Sequence, residues 1–334
     1  MGLAGLCAYP AESKLAIVKG LQVCGSSVIP ALFPFFVLTR LLTANLSTAR
    51  MPKFLDHVME KLFGVSGGCL SPLLMSFLGG YPVGVSCVVS LYEEGVITKR
   101  DAQRALLFCN NSGPAFFVGV VGSIVLQNVK NGLLLYFIHM IAALYVGRFF
   151  CRGGAEDAKL RRLPKKSEPL SQQFLNAISN SCGALLQICG LILFFSVLLA
   201  LLERIGLISL LRKLPLGLSE AELSATLYGF LELTGGILRL SNTSAPFLLA
   251  SFFMGWGGLC VHFQAMSLWQ RAGLHPKGYF IAKLLHGVLS AFFALCCLKP
   301  NVLNIGILCS LTVLSAAIPQ IRKKRSGNPL RYAL

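Results

Sequence analysis

Apolar runs long enough to cross a bilayer alternate with short charged stretches along almost the whole chain. From Leu15 to Leu42 a helical run is interrupted by Pro30 and Pro34, which reads as a kinked spanning helix, the bend serving either packing or hinge motion. Phe54, Leu55, Val58, Leu62 and Phe63 share one face among charged neighbours, the pattern of an amphipathic helix at the membrane interface. Cys69 to Tyr92 is apolar but split by Gly79-Gly80-Tyr81-Pro82 into arms of about ten residues, too short to cross a hydrocarbon core roughly 30 Å thick. A re-entrant hairpin near 69–92 is the expected solution, a single irregular spanning helix the alternative. Thr98 is placed to cap the helix that follows, and Asn131 to Phe149 reads as a plain spanning helix.

The next run, Ala105 to Leu126, is broken by Cys109-Asn110-Asn111-Ser112-Gly113-Pro114. Proline lacks a backbone N–H, glycine costs backbone entropy, and Asn and Ser compete for backbone hydrogen bonds, so the helix should fail there. In lipid such a break survives only where the freed polar groups find protein, water or a solute. Pro114 can open a second helical half capped by Ser112 or Gly113, and a buried helix N-terminus aims N–H donors at an anionic or carbonyl-bearing solute.

Beyond a basic linker at 152–170, the second half repeats the theme. Phe174 to Leu202 is a long helix and Leu207 to Leu218 reads as interfacial. Leu223 to Leu240 is broken by Glu232-Leu233-Thr234-Gly235-Gly236, giving a hairpin near 222–241. The run after Asn242-Thr243-Ser244-Ala245-Pro246 is broken at Gly255-Trp256-Gly257-Gly258. Tyr279 to Leu298 and Val302 to Ile318 are further crossings, followed by Arg322-Lys323-Lys324-Arg325. Two registers relate the halves: Ala105–Gly113 on Ala250–Gly258, which keeps each break at the same distance from the helix ends, or Asn110–Pro114 on Asn242–Pro246, which matches more identities. With linker and tail in the cytoplasm, the first hairpin opens inward and the second outward. The expectation is an all-α polytopic membrane protein of two inverted repeats, each with a re-entrant hairpin and a discontinuous helix. The first repeat covers 1–151 and the second 171–298, with a last helix and basic tail at 299–334. Met1 to Pro10 lacks the features of a cleavable signal, and one spanning segment reads as missing before it.

Composition narrows the class. Of 334 residues, 55% are hydrophobic and only 13% charged, against about 25% charged in a soluble domain. Mean hydropathy is +0.70. The net charge of +17 sits in loops between apolar runs, which marks membrane orientation and argues against nucleic acid. The twelve cysteines form no C-x-x-C pair, so small apolar packing residues are expected and no metal or cofactor. Glu232 falls at the second hairpin tip, and Arg239, two turns on, can pair with it or offer its planar fork to a carboxylate, unless both snorkel at the interface. His139, His262, Lys283 and His286 are further polar points in apolar helices, and Gln264 can line a cavity with His262. No catalytic triad, metalloprotease, Walker or paired-carboxylate arrangement is present, so no enzyme and no catalytic residue is expected.

Five blocks carry a resemblance: Pro30–Phe36, Gly80–Gly84, Phe108–Phe116, Glu232–Gly236 and Gly257–Gln264. Together they resemble the YlbJ (SpoVV) group of sporulation integral membrane proteins, within the nucleoside-recognition or gate-domain family, which is similar to concentrative nucleoside transporters. The resemblance implies transport of dipicolinate across the outer forespore or cytoplasmic membrane of a spore-forming bacterium, and it carries over no catalytic residue. The expected partners are the bilayer and a small anionic solute, dipicolinate with or without calcium. The expected binding residues are Gly79, Gly80, Tyr81, Pro82, Asn110, Asn111, Ser112, Gly113, Pro114, Glu232, Thr234, Gly235, Gly236, Arg239, Asn242, Gly257, Gly258, His262 and Gln264. A nucleoside-type carrier and a non-transporting scaffold of a spore-assembly complex are the alternatives, with a gated iron pathway behind them.

Overall fold

In the computed structural model, residues 6–46, 53–150, 169–213, 217–301 and 306 are described, and among them every regular element is helical. Helices α1 (Pro10–Val23) and α2 (Ile29–Leu46) are joined through a π-helical turn, Cys24–Val28. Pro30 has no N–H to donate, and its ring collides with the carbonyl four residues back in a regular helix. The wider turn just upstream, where Ile29 N–H reaches Cys24 O, accommodates both demands. The interruption read at Pro30 and Pro34 is therefore a change of pitch in one helical path, with Pro34 inside α2. Helix α3 (Lys53–Phe63) is the expected amphipathic surface helix: Met59 and Phe63 are buried, while Phe54 and Leu62 stay exposed. Its Asp56 carboxylate accepts a hydrogen bond from Gly67 N–H.

Helices α4 (Leu70–Gly79) and α5 (Val83–Glu93) are the arms of the first hairpin, turning at Gly80-Tyr81-Pro82 with a cis Tyr81–Pro82 peptide. Thr98 caps α6 (Lys99–Ala105), its Oγ1 accepting from Asp101 N–H at 3.0 Å. Residues 106–113 leave the helix, which resumes at Pro114 and continues as a π-helix over Phe116–Val125. Helix α7 (Val129–Phe150) crosses that segment closely: a Cβ on Gly132 would lie 2.7 Å from Gly122 Cα, the small-residue contact that lets membrane helices approach.

Helix α8 (Leu170–Arg204) is followed by the short α9 (Leu207–Leu211), which covers only the start of the stretch read as interfacial. Helices α10 (Glu220–Leu231) and α11 (Leu233–Arg239) form the second hairpin, opened by a capping box of Ser219 and Glu222. Glu232 alone interrupts the helical path. Gly235 and Gly236, expected at the tip, lie inside α11, where Gly236 meets Gly229 of α10 so closely that an added Cβ would be 2.3 Å from its Cα. The glycines draw the arms together; the carboxylate makes the turn. Helices α12 (Pro246–Trp256) and α13 (Gly258–Arg271) are separated by Gly257 in the left-handed conformation, φ +94°, and α14 (Tyr279–Leu298) follows. Most of the basic linker, the crossing read at Val302–Ile318 and the tail lie outside the described residues.

Four described stretches are long and apolar enough to cross a membrane: Val129–Phe150, Leu170–Arg204, Pro246–Arg271 and Tyr279–Leu298, with the bent pair Phe54–Phe63 and Gly67–Gly79 as a fifth if it counts as one span. Polar contacts define two ends. At the end where α7 finishes and α8 begins, Gln103 Nε2 donates to His275 O, Arg104 Nη1 to Gly64 O and Arg148 Nη1 to Lys61 O. The base of the first hairpin lies at this near end. At the far end Arg204 pairs with Glu12 at 3.1 Å and Arg239 with Glu203 at 3.6 Å, and the base of the second hairpin lies there.

Candidate functional site

Each hairpin tip meets a helix break. Gly80 of the first tip touches the 106–113 break so tightly that an added Cβ would lie 2.8 Å from Gly113 N. Asn111 fastens the contact: its Nδ2 donates at 2.8 Å to Ser76 Oγ on α4 and to Phe108 O within the break. At the second tip, a Cβ on Gly258 would lie 3.0 Å from Leu233 N, and Trp256 Nε1 donates to Phe230 O at 3.2 Å. The two junctions are joined by Tyr81, whose hydroxyl donates to Met254 O at 2.7 Å, one turn before the Gly257 break. Both breaks are buried, with Asn110, Asn111 and Ser112 shut away from solvent.

Around the first break lies a polar network that the sequence reading had not gathered into one site. Lys283 Nζ donates to Asn110 O at 2.7 Å and contacts His286 Nδ1 at 3.0 Å. His286 Nε2 reaches His139 O at 3.0 Å, and Ser112 N–H donates to His139 Nε2 at 3.1 Å. Asn110 Nδ2 donates to the Tyr279 hydroxyl at 2.5 Å, which stands 3.3 Å from His262 Nδ1. The imidazoles of His139 and His286 lie 4.3 Å apart, and Lys283 Nζ is 5.5 Å above the Tyr81 ring. Every one of these side chains is buried. His139 sits ten residues from one end of α7 and eleven from the other, roughly 15 Å from each at 1.5 Å per residue. The network therefore lies at mid-height of the helices.

Hydrogen-bond roles fix the proton positions. His139 Nε2 accepts from a backbone amide, so its proton is on Nδ1, and Nδ1 has no partner. His286 meets an acceptor through Nε2, so Nδ1 presents its lone pair to Lys283. Asn110 Oδ1 and His262 Nε2 are also buried without partners, an arrangement that costs about 1–3 kcal/mol per group unless something else supplies the bond. Among the described residues Lys283 has no carboxylate partner; its neighbours are a carbonyl, an imidazole and an aromatic ring.

The remaining expected site residues divide. Glu232 turns its carboxylate back on its own chain, accepting from Thr234 N–H at 2.8 Å and Gly235 N–H at 2.6 Å. Arg239 is not its ion-pair partner. The guanidinium lies over the Tyr228 ring, 3.4 Å from the centroid, and pairs with Glu203. The i to i+7 spacing had suggested a pair, but α8 offers Arg239 a nearer carboxylate. Gln264 is buried two residues from His262 and contacts Cys260 Sγ at 3.5 Å, turned away from the network. Asn242 is exposed on the connection before α12 and joins neither junction. Glu232, Thr234, Gly235 and Arg239 instead line a cavity of about 570 Å³ among α1, α8 and the second hairpin, with Lys19, Glu203, Arg204 and Tyr228 on its walls. Beside the first hairpin a small cavity of about 30 Å³ lies against Pro82, Ser86 and Arg40, the room of about one water.

Residues 26–127, which include the first hairpin and its break, match the Gate family, described as nucleoside recognition. Over 327 residues the chain is 29% identical to the sporulation integral membrane protein YlbJ of Bacillus subtilis (strain 168), covering 89% of this chain and 80% of that protein. No solved structure matches the chain. The chain is thus similar to YlbJ over most of its length, has a segment similar to the Gate family and is a multi-pass integral membrane protein; neither match is to an enzyme family.

Proposed function

We propose that this protein carries a small organic anion across its membrane, with Lys283 receiving the solute where the two hairpin tips meet the two helix breaks. One observation carries the reading: a buried lysine at mid-height, bonded among the described residues only to neutral groups. An ammonium taken out of water is costly unless a negative charge comes to it. A carboxylate beside Lys283 would be that charge, and the unpaired donors on His139 and His262 would add hydrogen bonds. Dipicolinate, a flat pyridine with two carboxylates, suits a cluster of one cation, several N–H donors and aromatic rings; the likeness to a sporulation protein favours it over other dianions. The outer forespore membrane is the corresponding location.

The mechanism is alternating access. The two halves act as inverted repeats, each hairpin gating one side. The 570 Å³ cavity on the far side reaches Glu232, and an opening toward one side is what a carrier has in one of its two states. Lys19, Arg204 and Arg239 on the cavity walls guide the solute inward from the far side. The test is uptake of labelled dipicolinate into proteoliposomes. Asn111→Leu and Ser112→Leu should abolish it while membrane insertion is retained; unchanged uptake removes the assignment.

A second reading, a nucleoside-type solute, is favoured by the description of the matched gate segment. Ligand-induced thermal shift with dipicolinate against uridine separates the two. A scaffold in a spore-assembly complex predicts binding of neither and tolerance of substitution from Asn110 to Pro114.

A further inference from the structure

The contact between Lys283 and His286 bears on how a dianion is neutralised. Lys283 Nζ lies 3.0 Å from His286 Nδ1, and His286 Nε2 is committed to His139 O. In that arrangement Nδ1 is a hydrogen-bond acceptor. The pair therefore holds one positive charge, on the ammonium, and adding a second proton while the two nitrogens touch would place like charges 3.0 Å apart in a buried site. The ring of His139 at 4.3 Å forbids a third charge for the same reason.

A bound dianion changes both conditions. One carboxylate draws the ammonium toward itself and frees the Nδ1 lone pair. The other brings the negative charge that makes a second positive charge acceptable. We propose that the Lys283–His286 pair takes up one proton from water for each dianionic solute it binds, so that solute and proton move together. The bond formed is N–H on His286 Nδ1 and the proton donor is a hydronium ion on the side facing the site. On release of the solute the ammonium returns to Nδ1 and the proton leaves. The other titratable groups facing the pair are His139 on α7, His262 on α13, Tyr81 at the first tip and Tyr279 on α14, with Tyr136 one turn along α7 from His139. Among the described residues α12, packed on α14, contributes none.

The inference rests on the carrier reading, and the experiment keeps the two apart. Purified full-length protein in detergent is titrated with dipicolinate by calorimetry in two buffers of different ionisation enthalpy. The dependence of the observed heat on the buffer counts protons. The expected result is uptake of about one proton per dipicolinate near pH 7 and about none for picolinate, which carries a single carboxylate. His286→Gln should lower the proton count toward zero whatever its affinity. In proteoliposomes clamped at zero potential, an inside-alkaline gradient should drive about tenfold accumulation of dipicolinate per pH unit, the equilibrium ratio for one proton per solute. Protein-free vesicles correct for leakage. Binding without proton uptake, or an undiminished count in His286→Gln, overturns the inference and leaves the carrier standing. Absence of any dipicolinate binding overturns both.

Discussion

Substituting Gly80 by alanine tests the junction between the first hairpin and its break. Gly80 has φ +74° and ψ −169°, a region nearly closed to residues with a Cβ; occupying it costs about 1–3 kcal/mol. The new methyl would also lie 2.8 Å from Gly113 N and 3.3 Å from Gly113 Cα, both backbone atoms that cannot rotate aside. Overpacking of that kind adds about 1–3 kcal/mol, so the total is about 2–6 kcal/mol. Gly95 supplies the control: its φ is +69°, but nothing lies within 4 Å of an added Cβ, so Gly95→Ala should cost only about 1–2 kcal/mol. Unfolding of the purified protein in mixed detergent, followed by circular dichroism, compares the two. Gly113→Ala fills the same gap from the other side, so the double variant should be less destabilised than the sum of the singles. Equal midpoints for Gly80→Ala and Gly95→Ala, or strict additivity with Gly113→Ala, would show that the tip does not bear on the break.

Lys283→Met should abolish the thermal shift produced by dipicolinate and raise the melting temperature of the unliganded protein, because replacing a buried charge by an apolar chain of similar length is neutral to stabilising; a lowered melting temperature would mean that the lysine is a structural tie. Tyr279→Phe removes the acceptor of the Asn110 amide and the partner of His262, and should cost about 2–3 kcal/mol with weakened solute binding, checked by the same unfolding and calorimetry. Tyr81→Phe strips only the bond to Met254 O, so a loss of about 1 kcal/mol is expected. At the far end, the Ser244 hydroxyl, with Ser219 behind it, holds the exposed Glu222 carboxyl down to about 2. A depressed carboxylate stabilises the fold above its unfolded pKa and loses that contribution as pH falls through about 2. Glu222→Gln should therefore flatten the acid limb of the stability profile below about pH 4 and leave the neutral region parallel to wild type; an unchanged acid limb refutes the hydrogen-bond account.

Much of the architecture was legible because breaks announce themselves in local chemistry. Gly80-Tyr81-Pro82 turns the first hairpin, Thr98 caps the next helix, and Asn110 to Gly113 is the break it was read to be. Glycine, proline and small polar residues act within a few positions of themselves, and sequence order suffices to find them. The second tip was placed a few residues off because Gly235-Gly236 looked like a turn, whereas those glycines serve a contact with Gly229 that only the folded hairpin creates. The gathering of His139, Tyr279, Lys283 and His286 around Asn110 was not legible. Tyr279, Lys283 and His286 share one face of α14 by their spacing of four and three, but His139 lies alone on α7. That two helices and a break point these groups at one spot is a property of packing, which a single sequence does not encode in local periodicity. The same limit explains Arg239, whose partner lies on α8, far away in sequence.

The way each tip meets its break bears on how the molecule moves. At both junctions backbone approaches backbone: Gly80 lies on Gly113, and Gly258 lies on Leu233 N. Such contacts bury little apolar side-chain area, so at about 25 cal/mol per Å² they resist separation weakly compared with interdigitated helices. The hydrogen bonds that do span a junction are few and identifiable: Asn111 to Ser76 and Trp256 to Phe230 within each half, Tyr81 to Met254 between them. The arms, by contrast, are pulled together by glycine contacts such as Gly229 with Gly236. A tip that slides off its break thus exposes backbone donors and acceptors more than hydrocarbon, and a polar solute can satisfy those groups as they open. On the carrier reading the glycines at the tips and the polar residues at the breaks answer one requirement: the surface uncovered by opening must be one that an anion, and not lipid, can cover.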